Sequence, residues 1–435
     1  MNYKETLNFL YSRAPCFGFY GKKAYTAKLD NVVFLANYFG NPQNYYPTIH
    51  VGGTNGKGSV SVCIASILKE AGFNVGLFIS PHVRDFRERI QINGSLIEKD
   101  YFLSFIKDVT PLIDKISPSF FEIVTILAFK YFKEKNVDFA VIEVGLGGRY
   151  DCTNIIKPII SVITNVGLDH TNILGSSLKE IALEKAGIIK ENIPCIVGET
   201  DNVTAPIFIN VANEKNSKLT FADQYFLSKI KKSTFKYDYY DVLNIINNQP
   251  FLKSLKIPLK GFYQNKNLTT IVHLSNYLTK NNLIKLNKEN IRKGIKNCLD
   301  NFKFFGRWQI LKRRPLIIAD IAHNEPAFKQ IVNQLNNLKV KNKYFILGFS
   351  NDKDYFSILQ ILPKDSYYIF TKANIPRAEN PEKLKEFANK INLKSEVIPN
   401  SKKALKKALF LAKPNDIIFI GGSVYLVGEL LNFKF

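Results

Sequence analysis

The stretch YPTIHVGGTNGKGSVSVCIASILKEAG, residues 46–72, constrains the fold more than any other part of the chain. YPTIHV reads as a buried strand, GGTNGKGS as a glycine-rich turn, and SVSVCIASILKEAG as a helix. A strand that runs through such a turn into a helix belongs to a sheet whose parallel neighbours are reached by helical crossovers. The same order recurs downstream. NVGLFIS (74–80), DFAVIEVG (138–145) and IISVITNVG (159–167) are near-continuous apolar runs, and FEIVTILAFKYFKEK (121–135) has helical periodicity. Strands this apolar are covered on both faces, so an α/β architecture with a parallel sheet is expected.

The pattern restarts after about residue 300. PLIIADIAH (315–323), KYFILGFS (343–350), SYYIFTK (366–372) and DIIFIGG (416–422) are four further strand candidates with helical segments between them. A chain of 435 residues exceeds one ordinary core. The expectation is an N-terminal P-loop-type, parallel-sheet ATPase domain, residues 1–297, and a smaller C-terminal Rossmann-like α/β domain, residues 298–435. The junction falls in KNCLDNFKFFGRW. The polar, less regular segment from about 200 to 260 reads as a peripheral part of the first domain.

Composition excludes several classes. No run of about 18 uncharged apolar residues suggests a membrane span. MNYKETLNFLYSRAP lacks the apolar stretch of a secretory leader. The five cysteines are scattered without CxxC spacing, which favours a reducing cytoplasm. The net charge of +23 raises a nucleic-acid partner, but Lys is spread along the chain and no binding motif accompanies it. A small anionic substrate needs only a few of these charges. No feature indicates an oligomer, so a monomer is expected.

GGTNGKGS departs from the common phosphate loop GxxxxGK[ST]. Val51 stands where its first glycine would be, and Gly58 separates Lys57 from Ser59. Backbone N–H groups at a strand-to-helix turn still suit phosphates, and Lys57 among them calls for an anion. Glu143 ends one buried strand; Asp169 and His170 follow another. Carboxyl ends of parallel strands are where α/β sheets bind ligands. Taken alone, Glu143 could be a surface carboxylate, and Lys185, near the end of SLKEIALEKAGIIK, a solvated lysine.

HVGGTNGKGSV, SPHVRDFRERIQING, EVGLGGRYDCTN, TNVGLDHTNILG, EKAGIIK, GRW and DIAHN occur in the order found in the Mur ligase superfamily. The chain most closely resembles its folate branch, folylpolyglutamate synthase and dihydrofolate synthase, from about residue 35 to 430. Cell-wall members carry a UDP-sugar domain of about a hundred residues before the loop, whereas only about 50 residues precede it here. The resemblance implies an ATP-dependent ligase that activates a folate or dihydropteroate carboxylate as an acyl phosphate and joins L-glutamate to it. Asn55, Gly56, Lys57, Gly58 and Ser59 would hold the ATP phosphates. Ser80 and Glu143 would bind one Mg²⁺ and His170 a second. Lys185 matches a lysine that is carbamylated in the family. Asn267, Arg307 and Asp320 would contact ATP from the far side of the interdomain cleft. Phe121, Glu122 and Asp151 fall where the family contacts the pterin, and His323 would lie near the γ-phosphate or glutamate, as a candidate base.

Four positions depart from the family pattern: Tyr263 in place of a His, the continuation of GRW as Gln309, Ile321 in place of a Gly, and Cys152 in place of an Ala. Tyr263 and Ile321 bear on the nucleotide pocket. The alternatives are another amide-forming ligase of the superfamily and a non-catalytic nucleotide-binding relative. Between dihydropteroate and tetrahydrofolate as acceptor, the sequence favours an enzyme that takes both.

Overall fold

The structure is a computed structural model, and it describes residues 1–16, 19, 21 and 27–433. Two separate parallel sheets account for the restart in the sequence pattern. The first has eight strands: β1 (Thr48–Gly52), β2 (Val75–Phe78), β3 (Ile90–Ile92), β4 (Ser95–Leu96), β5 (Phe139–Glu143), β6 (Ile160–Ile163), β7 (Cys195–Val197) and β8 (Leu219–Phe221). Their order is β4-β3-β2-β5-β1-β6-β7-β8. All pairings are parallel except β2–β3 and β3–β4 at one edge. The strands β1, β5 and β6, whose residues carry the motifs, are therefore immediate neighbours.

β1 is buried throughout, and so are β2, β6 and β7, as their near-continuous Val and Ile require. The Lys57–Glu70 helix is buried along most of its length. It is covered on one side by the Gln264–Lys280 helix and on another by Lys288–Lys296, where Gly294 lies against the Ile67 backbone. On the opposite face of the sheet the Phe120–Glu134 helix fills a second core with Phe102, Phe105, Phe129 and Phe132.

Residues 226–257, expected to be irregular, form a three-stranded antiparallel sheet: β9 (Phe226–Ser233), β10 (Asp238–Asn244) and β11 (Gln249–Ile257). Its inner face adds Phe226, Tyr240, Val242, Leu252, Leu255 and Ile257 to the first core. The sheet is part of that core.

The second parallel sheet comprises β12 (Gln309–Arg313), β13 (Leu316–Ala319), β14 (Lys343–Leu347), β15 (Tyr367–Lys372), β16 (Lys394–Asn400) and β17 (Ile417–Gly421), in the order β12-β13-β17-β14-β15-β16. Only β12 runs antiparallel. Helices cover both faces, giving two small cores around Phe345 and Ile346. Among the described residues, no helix is long and apolar enough to cross a membrane.

Candidate active site

The glycine-rich turn leaves β1 at Gly52 and enters the Lys57–Glu70 helix through Gly56, whose φ of +88° favours a residue without Cβ. A Cβ there would lie 2.2 Å from Asn267 Oδ1, and one on Gly53 only 1.9 Å from Thr164 Oγ1. The turn is pinned to the segment after β6. Thr54 N donates to Asn165 O at 2.9 Å, Asn55 N to Asn165 Oδ1 at 3.0 Å, and Thr164 Oγ1 to Asn55 O at 2.6 Å. The helix start has no side-chain cap, so its first N–H groups face the cavity.

Lys57 Nζ donates to Gly53 O and Thr54 O at 3.0 and 3.1 Å. Burial lowers its pKa, against the raising pull of Glu143, Asp169 and Asp151. Glu143 ends β5 and accepts from the Ser80 N–H at 2.9 Å. Burial raises its carboxyl, with Lys57 opposing. These residues line a cavity of about 310 Å³ together with Asn267, Arg307 and Asp320. Glu143 and the Ser80 hydroxyl offer hard oxygen donors at its wall, which suit Mg²⁺.

Asn267 does not approach from across the cleft as expected. Its helix packs on the Lys57–Glu70 helix within the first core, which puts Asn267 beside Gly56 on the phosphate-loop side. Arg307 and Asp320 lie on the connector and the second sheet. Asp320 Oδ2 accepts from Tyr263 Oη at 2.8 Å and from Trp308 N at 2.7 Å, and Oδ1 from Ala322 N at 2.8 Å. Tyr263 thus serves to hold Asp320. Ile321 is accommodated because Gly306 faces it: a Cβ on Gly306 would stand 2.6 Å from Ile321 Cγ2.

A second cavity, about 210 Å³, is lined by Phe120, Phe121, Glu122, Tyr150, Asp151 and Cys152 on the N-terminal side and by Lys353, Arg377 and Tyr425 on the C-terminal side. It meets the first at Ser80, Pro81 and His323. Phe121 stacks on Phe78 at 5.8 Å and lies against Gly145, where a Cβ would be 2.5 Å away. Glu122 closes a capping box with Ser119. Asp151 is committed to its own turn, accepting from Leu146 N at 2.8 Å and Thr153 N at 3.0 Å, so its side chain shapes the wall.

Between the cavities stands a charged cluster. His170 adopts φ +51°, an unusual conformation for a side-chain-bearing residue. Lys353 Nζ donates to Asp169 Oδ1 at 2.6 Å and to His170 Nε2 at 3.1 Å. Asn324 Nδ2 donates to Asp169 Oδ2 at 2.9 Å, and His323 Nε2 is 3.4 Å from the same oxygen. Although burial would raise Asp169, Lys353 and the two imidazoles hold it well below the usual carboxylate range. Burial, then Lys353, keeps His170 well below its ordinary value. Ligand atoms of Asp169, His170 and His323 all lie within 4.8 Å of one another, a spacing compatible with one cation. Lys185, at the end of the Leu178–Ala186 helix, is buried, and burial with Lys57 lowers its amine to about 7.

The sequence reading singled out neither Lys353 nor Asn324 nor Arg377. Lys353 and Asn324 follow second-sheet strands at their carboxyl ends, the signal that drew attention to Glu143. In a chain with 60 Lys and Arg, a lone Lys in NDKD carried no weight.

Residues 51–274 match the Mur ligase middle domain, and residues 306–424 match the Mur ligase, glutamate ligase domain. The chain is 31% identical over 410 residues to the dihydrofolate synthase/folylpolyglutamate synthase of Buchnera aphidicola subsp. Acyrthosiphon pisum, covering 93% of this chain and 94% of that one. It is 30% identical to the probable bifunctional folylpolyglutamate synthase/dihydropteroate synthase of Haloferax volcanii, where 99% of this chain spans 50% of the longer relative. Among solved structures, the Yersinia pestis bifunctional folylpolyglutamate synthase/dihydrofolate synthase complexed with AMPPNP and Mn ion superposes with a TM-score of 0.84 at 26% identity, covering 99% and 97% of the two chains. E. coli FolC in complex with DHPP and ADP gives a TM-score of 0.84 at 25% identity, with the same coverage.

Proposed function

The chain belongs to the Mur ligase family, in the branch of dihydrofolate and folylpolyglutamate synthases, and we propose that it takes both acceptors, dihydropteroate and tetrahydrofolate. It is an ATP-dependent ligase that joins glutamate to a folate or its precursor, and it binds nucleotide and a divalent metal. The observation that carries the residue-level reading is the junction of the two cavities. The two cavities share Ser80, Pro81 and His323, where a carboxylate entering from the aromatic side would meet a γ-phosphate held by the loop.

In this reading Lys57 turns from the loop carbonyls to the phosphates, and the N–H groups of Asn55, Gly56, Gly58 and Ser59 cradle them. Arg307 and Asn267 bound the nucleotide on either side. Ser80 and Glu143 would hold one Mg²⁺, and His170 would take part in a second site. A bound divalent ion would offset phosphoryl charge. Lys185, near neutrality, has the unprotonated amine that CO₂ addition needs, which supports its carbamylation. Transfer of the γ-phosphoryl group to the acceptor carboxylate leaves ADP and an acyl phosphate. The glutamate amine then attacks the carbonyl carbon, and phosphate departs as the amide forms. No protein nucleophile is required; the residues position the reactants and stabilise charge.

On the C-terminal wall Lys353 and Arg377 are already paired, with Asp169 at 2.6 Å and with Asp352 at 2.8 Å, and these held cations would face the carboxylates of glutamate. His323 Nδ1 is held by Ile321 O at 3.0 Å and its Nε2 faces Asp169 Oδ2 at 3.4 Å, so Nε2 is the candidate base once that contact is given up to substrate. Phe121 and Glu122 border the acceptor ring, and Asp151 shapes that wall. The enzyme acts as a cytoplasmic monomer without nucleic acid.

Acceptor labelled with oxygen-18 in its carboxylate tests the chemistry. One labelled oxygen should appear in released phosphate. Unlabelled phosphate alongside amide product would exclude the acyl phosphate.

A further inference from the structure

A third cavity, about 390 Å³, lies behind the nucleotide site, between the β9–β10 turn and the connector that joins the two sheets. Phe235, Tyr237, Phe304, Phe305 and Trp308 face it, over a floor that includes Leu259 and Leu299. Phe235 is 47% exposed with Arg313 stacked 3.7 Å over one face, and Phe304 and Phe305 are half-buried with Arg84 5.2 Å over the Phe305 ring, so part of the aromatic surface is accessible. Lys236, Lys296 and Lys303 stand exposed on the rim, and Arg307 lies within. Lys260 is already committed to Asp238 at 2.5 Å. Against these cations the lining offers one carboxylate, Asp300.

A clustered, partly accessible aromatic surface under a predominantly cationic rim is the chemistry of a ligand site for flat anions. We propose that this cleft is a second ligand site, taking a planar heteroaromatic ring that bears negative charge, and that its occupancy is coupled to the nucleotide site. The coupling follows from shared walls. Phe304 packs on the phosphate loop: a Cβ on Gly58 would be 2.8 Å from Phe304 Cε2. Arg307 lies 4.5 Å over the Phe304 ring and lines both cavities. The Trp308 N–H is fixed on Asp320. A ligand that shifts Phe304 or Arg307 therefore alters the nucleotide's surroundings, and by reciprocity nucleotide alters that ligand's affinity. Nucleotides and folates both have this chemistry.

Calorimetric titration of the full chain, with ADP in one arm and folic acid in the other, tests the site. Trp308, the only tryptophan, reports locally by fluorescence. The proposal expects a second equivalent of at least one probe, and the arm that shows it identifies the source. Lys296→Glu/Lys303→Glu should weaken that equivalent by about tenfold or more and keep the first. Lys57→Ala should retain the second ADP equivalent, if ADP is the ligand, with its Trp308 signal. Lys402→Glu/Lys403→Glu, on the distant Ser401–Leu411 helix, should leave both equivalents in place. One equivalent of each probe in the wild type overturns the proposal. So does a second equivalent that survives the Lys296/Lys303 change, or that the Lys402/Lys403 change removes equally.

Discussion

Lys353 Nζ lies 2.6 Å from Asp169 Oδ1, joining the loop after β14 of the second sheet to the loop after β6 of the first. Both side chains are about nine-tenths buried, at 9% and 11% exposure. Asn324 holds the other Asp169 oxygen, so one carboxylate docks two segments of the C-terminal unit beside His170 and His323.

Removing Lys353 leaves Asp169 a poorly compensated buried charge. Lys353→Met is expected to cost about 3 kcal/mol of interdomain docking, or about 100-fold in ligation kcat/KM. Steady-state kinetics with small-angle scattering checks this; unchanged kinetics with an unchanged scattering profile would count against the latch.

Lys57 is the cation of the phosphate loop. Lys57→Ala should reduce phosphate release by about 100-fold or more while the protein still folds. Circular dichroism and phosphate release measured on the same sample separate the two effects.

The loop glycines are required sterically. Gly53→Ala would press Cβ onto Thr164 at a φ of +134°, and a loss of about 1–3 kcal/mol is expected, concentrated in the loop. A thermal melt and ADP affinity together read it, and wild-type values for both would refute the steric account.

Tyr263→Phe should remove one hydrogen bond to Asp320. The expected cost is about 1 kcal/mol, seen as a several-fold rise in the ATP KM. An unchanged KM would show that Asp320 needs no such support.

Lys185 gives the pH dependence. Its folded value, about 7, lies below its ordinary one, so below pH 7 the buried amine is protonated and costs stability. Between about 7 and the unfolded value the unfolded chain holds the extra proton, so stability rises with pH. Carbamate formation needs the neutral amine and should rise through the same point. Carbon-13 NMR with labelled bicarbonate should show a carbamate signal that grows above pH 7 and vanishes in Lys185→Ala.

Much of this was legible in the sequence, for physical reasons. β1, β5, β6, β13, β14, β15 and β17 are short apolar runs buried on both faces, the pattern least open to misreading. β9 alternates its first buried positions with solvent-facing ones and ends in exposed lysines, so FLSKIKKS carries no apolar run and its sheet went unread. The placement of Asn267 depended on a helix-on-helix contact between residues some 200 apart, which periodicity cannot reveal. Lys57, Glu143 and His170 stood out because they interrupt or end apolar strand-and-turn patterns. Lys353 interrupts nothing.

Phosphate release from Mg-ATP is the most direct test of the central claim, measured with glutamate and either dihydropteroate or a tetrahydrofolate. The account predicts release that requires all three substrates and occurs with each acceptor. Release with one acceptor alone would restrict the enzyme to a single activity. No glutamate-dependent release with either, from protein that still binds ATP, would contradict the assignment.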